Sequence, residues 1–95
     1  MTKIGKGMLI AHPYATILKA ESISDNFSCI HCTTIGAKSN GPPVIGNNVS
    51  LGIHVIIIGN IHIGNNVVVG AGSVVVKDVL DTCVVVGNPA RIIKQ

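Results

Sequence analysis

The sequence predicts an all-β protein, a parallel β-helix of about four triangular coils forming a single domain over residues 1–95. Three observations carry this expectation. Aliphatic residues recur at every sixth position: Ile45, Leu51, Ile57, Ile63, Val69 and Val75. Hydrophobic residues make up 47% of the chain and aromatics only 2%, so the core must be built from Ile, Val and Leu, a set rich in strand-favouring β-branched side chains. Between the aliphatic steps lie Gly46-Asn47-Asn48, Gly59-Asn60 and Gly64-Asn65-Asn66, residues that adopt positive φ and tight corners at little cost.

Each hexapeptide offers a second inward candidate four residues further on: Val49, Val55, Ile61, Val67, Ser73 and Val79. The frame extends backwards through Ile35, Cys29, Ile23 and Ile17, then Ile10 and Ile4. A spacing of seven between Ile10 and Ile17 places one extra residue beside His12. A spacing of ten between Ile35 and Ile45 predicts an extruded loop over 37–44, because the consecutive prolines Pro42 and Pro43 cannot donate to a ladder. Three hexapeptides per coil stack the coils at ~4.8 Å. One buried Ile or Val contributes about 1.5–3 kcal/mol before chain entropy, so a single coil could not stand alone. The C-terminus is expected to leave the helix at Gly87-Asn88-Pro89 and fold back as a tail. At the other end Met1 to Ile4 enters the repeat at once, so that end is expected to be covered by a partner unless the chain is a piece of a longer protein.

Composition also excludes functions. A net charge of +3 without a basic run, combined with so few aromatics, removes both footprints of nucleic-acid binding and suits a small anionic ligand better. The most apolar stretch, "VVVGAGSVVV", falls short of the ~20 residues of a membrane-spanning helix. No signal-peptide core opens the chain, and a cytoplasmic protein is expected. Cys29, Cys32 and Cys83 read as free thiols. The single pair in "CIHC" lacks the second pair that would complete a structural zinc site, so no metal is expected.

The segments "IGKGMLIAHPYATIL", "SISDNFSCIHCTTIG", "IGNNVSLGIHVIIIGNIHIGNNVVVGAGSVVVKDV" and "VVGNPARII" together resemble the hexapeptide-repeat acyltransferases, in the serine acetyltransferase and capsular polysaccharide O-acetyltransferase branch. The resemblance implies a left-handed β-helix and a homotrimer with acetyl-CoA as co-substrate in the groove between subunits. It places the catalytic histidine on His12, a general base for a small hydroxyl acceptor such as a sugar or a serine-like molecule. Imidazole suits that task, because an unperturbed pKa of about 6.5 leaves an accepting nitrogen at cellular pH. For the coenzyme it implies backbone contacts along Gly52, Gly70, Ala71 and Gly72, with Lys77 and Arg91 on the phosphates. The chain also departs from the pattern. Pro42 stands where the serine enzymes carry a second histidine, Ile56 replaces a common lysine, and Ile53 and His54 replace small residues; the orienting carboxylate would fall before Met1. Two other classes stay open: a non-catalytic or degenerate trimeric β-helix scaffold, and a metal hydro-lyase resembling γ-class carbonic anhydrase. The latter needs paired histidines five apart, which this chain does not have.

Counting hexapeptides adds one expectation of its own. His12, His31 and His54 fall in the second, fifth and eighth, so they share one face of the prism, while His62 belongs to another. Such a column could line the groove, contact a neighbouring subunit, or gather an anion or metal at a three-fold axis.

Overall fold

The computed structural model describes residues 2–11 and 16–94. Four coils follow one another. The first contains β1 (Lys3–Ile4), β2 (Leu9–Ala11) and β3 (Ile17–Leu18). The second contains β4 (Ser22–Ile23), β5 (Ser28–Ile30) and β6 (Thr34–Gly36). The third contains β7 (Val44–Ile45), β8 (Ser50–Leu51) and β9 (Ile56–Ile58), and the fourth β10 (His62–Ile63), β11 (Val68–Val69) and β12 (Val74–Val75). Strand β13 (Val84–Gly87) starts a further turn, and β14 (Ala90–Lys94) reverses against it. Three faces result: a first sheet β1-β4-β7-β10, a second β2-β5-β8-β11-β13-β14 and a third β3-β6-β9-β12. All pairings are parallel except β13 with β14.

The six-step aliphatic frame from Ile45 to Val75 is buried throughout, as is the second inward set from Val49 to Val79. Register fixes which residues stack. Ile23, Ile45 and Ile63 align on the first sheet, and Leu18, Ile35, Ile57 and Val75 on the third. This corrects the frame at one point. Ile17 pairs with Thr34 and is 60% exposed, whereas Leu18 pairs with Ile35 and takes the inward place. The interval after Ile10 is therefore eight and the next, from Leu18 to Ile23, is five. Strand alternation sends neighbouring side chains to opposite faces, so this slip of one residue turns Ile17 outwards. The extruded loop is also shorter than predicted. Val44 pairs with both Ser22 and His62, so the loop ends at residue 43, closed by reciprocal backbone bonds between Lys38 and Gly41.

The corners are made by single residues in the left-handed region. Asn26, Cys32, Asn48, His54, Asn66 and Thr82 have φ between 56 and 61°, each directly before a second-set inward residue. At the corner between first and second sheets, asparagine side chains bond from coil to coil: Asn26 Nδ2 donates to Asn48 Oδ1 at 3.0 Å and Asn48 Nδ2 to Asn66 Oδ1 at 3.1 Å. A second ladder runs beside it. Oδ1 atoms of Asp25, Asn47, Asn65 and Asp81 accept from the backbone N–H groups of Lys6, Asp25, Asn47 and Asn65, at 2.7–2.9 Å. Asn48→Ala removes two amide bonds and puts a Cβ with no compensating group at positive φ, for an expected loss of about 1–3 kcal/mol. Asn48→Gly keeps the backbone at ease and should cost less; urea denaturation of both variants checks the order.

The C-terminal tail folds back as predicted, as the β13–β14 hairpin across a cis Asn88-Pro89 bond. Buried Ser73 ties it to the prism, because its hydroxyl accepts from Gly87 N–H at 3.1 Å and donates to Gly70 O at 2.7 Å. Thr33 fills the corresponding inward place in the second coil and donates to Ile30 O at 2.7 Å. At the opposite end each first-coil strand is paired on one side only, and Ile4 is 51% exposed.

Candidate functional site

The corner between second and third sheets differs from the one bearing the ladders. In coils two to four it reads Ile30-His31-Cys32, Gly52-Ile53-His54 and Gly70-Ala71-Gly72. Backbone bonds place these segments one above another: His54 N–H donates to His31 O at 3.4 Å, and Gly72 N–H to Ile53 O at 2.8 Å. The rings of His31 and His54 meet edge to face with centroids 6.4 Å apart and planes at 73°. Two members of the predicted histidine column are thus together. The third, His12, lies outside the described residues; its neighbour Ala11 pairs with Ile30, the residue before His31. His62 sits on the first sheet, as expected, with its backbone N–H on Asp78 Oδ1 at 2.9 Å.

Gly52, Gly70, Ala71 and Gly72 converge on the same corner. Smallness there has two physical reasons. A Cβ on Gly52 would stand 2.8 Å from Ala71 N, and one on Gly70 would stand 2.8 Å from Val86 Cγ2, so these positions allow the coils and the tail to close up. At Gly72, with φ +73°, a Cβ would meet nothing within 4 Å, which leaves a bare strip of backbone facing outwards. Lys77 and Arg91 are elsewhere. Both line a cavity of about 440 Å³ at the end of the last coil, with Val75, Val79, Val85 and Asp78. The six coenzyme candidates therefore divide into four at the histidine corner and two cations beside the tail.

Cys29, Cys32 and Cys83 are free thiols, as predicted. Among the described residues no group of three or more His, Cys, Asp or Glu side chains is arranged to hold a metal ion. Burial pushes the Cys29 thiol up, opposed by a hydrogen bond from Thr33. The folded chain therefore keeps a proton that the unfolded chain releases above the ordinary thiol pKa of about 8.5. This contribution to stability is fully present below that pH and is lost as pH rises through the folded value. Thermal melts from pH 7 to 10 should accordingly fall more steeply with pH for the wild type than for Cys29→Ala. Sequence reasoning did not find the side-chain ladders or the Asp78 carboxylate in the cavity; the Asn and Asp residues at steps of 16 to 22 were the available signal.

Residues 42–77 match the family described as bacterial transferase hexapeptide, six repeats. By repeat and by fold the chain is similar to the hexapeptide-repeat transferases: it carries their repeat and shares the parallel β-solenoid of solved serine acetyltransferases. Among its relatives, WcaB of Escherichia coli, assigned to colanic acid biosynthesis as an acetyltransferase, is 46% identical over 93 residues, covering 94% of this chain and 57% of WcaB. The serine acetyltransferase of Synechococcus elongatus is 38% identical over 96 residues, covering 96% of this chain and 39% of that enzyme. The chain thus spans between two fifths and three fifths of these relatives. The solved serine acetyltransferase of Brucella abortus in complex with coenzyme A superimposes with a TM-score of 0.90 at 33% identity, covering 99% of this chain and 40% of that one. Among the described residues no helix is long and apolar enough to cross a membrane.

Proposed function

We propose that the chain is an acetyl-CoA-dependent O-acetyltransferase acting on a small hydroxyl acceptor, a sugar or a serine-like molecule, with His12 as general base. The observation that carries the reading is the second corner, where imidazoles and the small residues Gly70-Ala71-Gly72, open at Gly72, replace the amide ladders of the first. Gly70 and Gly72 already donate to Val85 O and Ile53 O, so the strip's contribution to the amides of a pantetheine arm is the Ala71 N–H and the carbonyls of Ala71 and Gly72. Its thioester end would lie towards the first coil and its phosphates towards Lys77 and Arg91. His12 takes the acceptor's hydroxyl proton as the oxygen attacks the thioester carbonyl, and backbone N–H groups steady the oxyanion. The likeness to a serine acetyltransferase solved with coenzyme A supports the choice of acyl donor.

The groove needs a second subunit, and the reading includes a homotrimer. The outer face of the third sheet supports it: Ile17, Thr34, Ile56 and Val74 lie in register and carry no charge, the composition of a surface that docks on another. A scaffold is the second reading. It is favoured by one observation, that the described segments of the histidine corner contain no carboxylate to orient an imidazole. Release of free thiol from acetyl-CoA, followed with a panel of sugars and amino acids, separates the two. Turnover with any acceptor supports the enzyme; coenzyme that neither binds nor turns over leaves the scaffold.

A further inference from the structure

The left-handed corner residues other than glycine are not equivalent. Asn26, Asn48 and Asn66 bond to one another through their side chains, and the Thr82 hydroxyl donates to Asp81 O at 2.6 Å. Asparagine also visits this backbone region readily. His54, like Cys32 at the same corner one coil earlier, makes no such bond among the described residues. At φ 57° it holds an imidazole whose recorded ring contact is edge to face with His31. One coil further on, the same corner position is Gly72, with open space around it. A glycine would therefore serve the turn at His54 as well. Backbone strain without a local return is a pointer to function.

We propose that His54 is a binding residue for the acyl donor: its imidazole borders the open backbone at Gly72 and donates a hydrogen bond to an amide carbonyl of the coenzyme's pantetheine arm. This rests on the reading of the corner as the acyl-coenzyme A site. Two observations and the chemistry of imidazole converge on it. The step from Gly72 to Ile53 is a direct backbone bond of 2.8 Å, so the imidazole-bearing residue adjoins the strip. His31 supports one side of the ring, which limits its rotamers. A neutral imidazole carries one donor and one acceptor nitrogen, matching an arm interrupted by amides. His54 acts on binding and takes no part in the transfer of the acetyl group.

The test is calorimetric titration of the full chain with coenzyme A, together with KM and kcat for acetyl-CoA, for the wild type, His54→Gly and His54→Asn. Both replacements suit the left-handed backbone, so melting temperatures at or above that of the wild type are expected, and a loss of binding can be read as a lost contact. Gly should weaken coenzyme binding about tenfold, the size of one lost hydrogen bond, with the loss in KM rather than kcat. Asn, which retains a donor near the Nδ1 position, should recover most of it. Unchanged or tighter binding by His54→Gly would overturn the proposal, tighter binding marking the imidazole as an obstacle. A wild type that binds no coenzyme A removes the acyltransferase reading itself; one that binds it regardless of residue 54 removes only this inference.

Discussion

Replacing His12 with alanine should lower kcat for acetyl transfer by about 10²–10⁴-fold, with KM for acetyl-CoA within about twofold of the wild type. The separation follows from the chemistry. A hydroxyl acceptor with a pKa far above neutrality must lose its proton as its oxygen attacks, and in the proposed site the only group charged with taking it is the imidazole. The proposed contacts to the coenzyme, the corner strip and the tail cations, are left in place by the substitution. The pH–rate profile of the wild type should rise through an apparent pKa in the imidazole range, about 6.5, and the variant's residual rate should lose that limb. Turnover indifferent to the change would take His12 out of the reaction, and KM rising with kcat constant would make it a binding residue.

The largest expected effect on stability belongs to Ile57. It is fully buried, in register between Ile35 and Val75 in the stack of the third sheet. Ile57→Ala should cost about 2–5 kcal/mol, because a prism wall of short strands can collapse little around the missing methyls. That is a large share of the roughly 5–15 kcal/mol by which domains are stable. Ile17→Ala should stay within about 0.5 kcal/mol, since that side chain faces outwards at 60% exposure. Urea denaturation of the pair decides the register of the first coil. Equal losses would return Ile17 to the interior and displace Leu18.

Where the six-step rhythm is unbroken, from Ile45 to Val79, counting alone identifies every inward residue, because each hexapeptide contributes one strand and one corner. Counting fails where residues are inserted. It registers a lengthened interval after Ile10 but carries no information on which of Ile17 and Leu18 resumes the inward phase; hydrogen bonding to Thr34 and Ile35 decides that. The loop expected over 37–44 includes Val44, yet that residue has an N–H of its own and donates it to Ile61 O at 2.9 Å. Ser73 and Thr33 look like breaks in an aliphatic series. Each is tolerated inside because its hydroxyl finds a carbonyl three residues earlier. The candidate site was legible as a face, since histidines three hexapeptides apart must stack. The separation of Lys77 and Arg91 from the glycine strip was not, because it depends on where the tail turns back.

That reversal has one more consequence. A column of parallel rungs ends in dangling donors and acceptors, and any similar rung can continue it. Strand β14 closes the terminal edge of the second sheet with a segment running the opposite way, its Ala90–Lys94 backbone matched to Val84–Gly87. Lys94, opposite Val84 at the far end of this strap, adds a charge that discourages a newcomer. The strap works as a stop on templated growth, which keeps a stackable motif from lengthening into a fibre along that side.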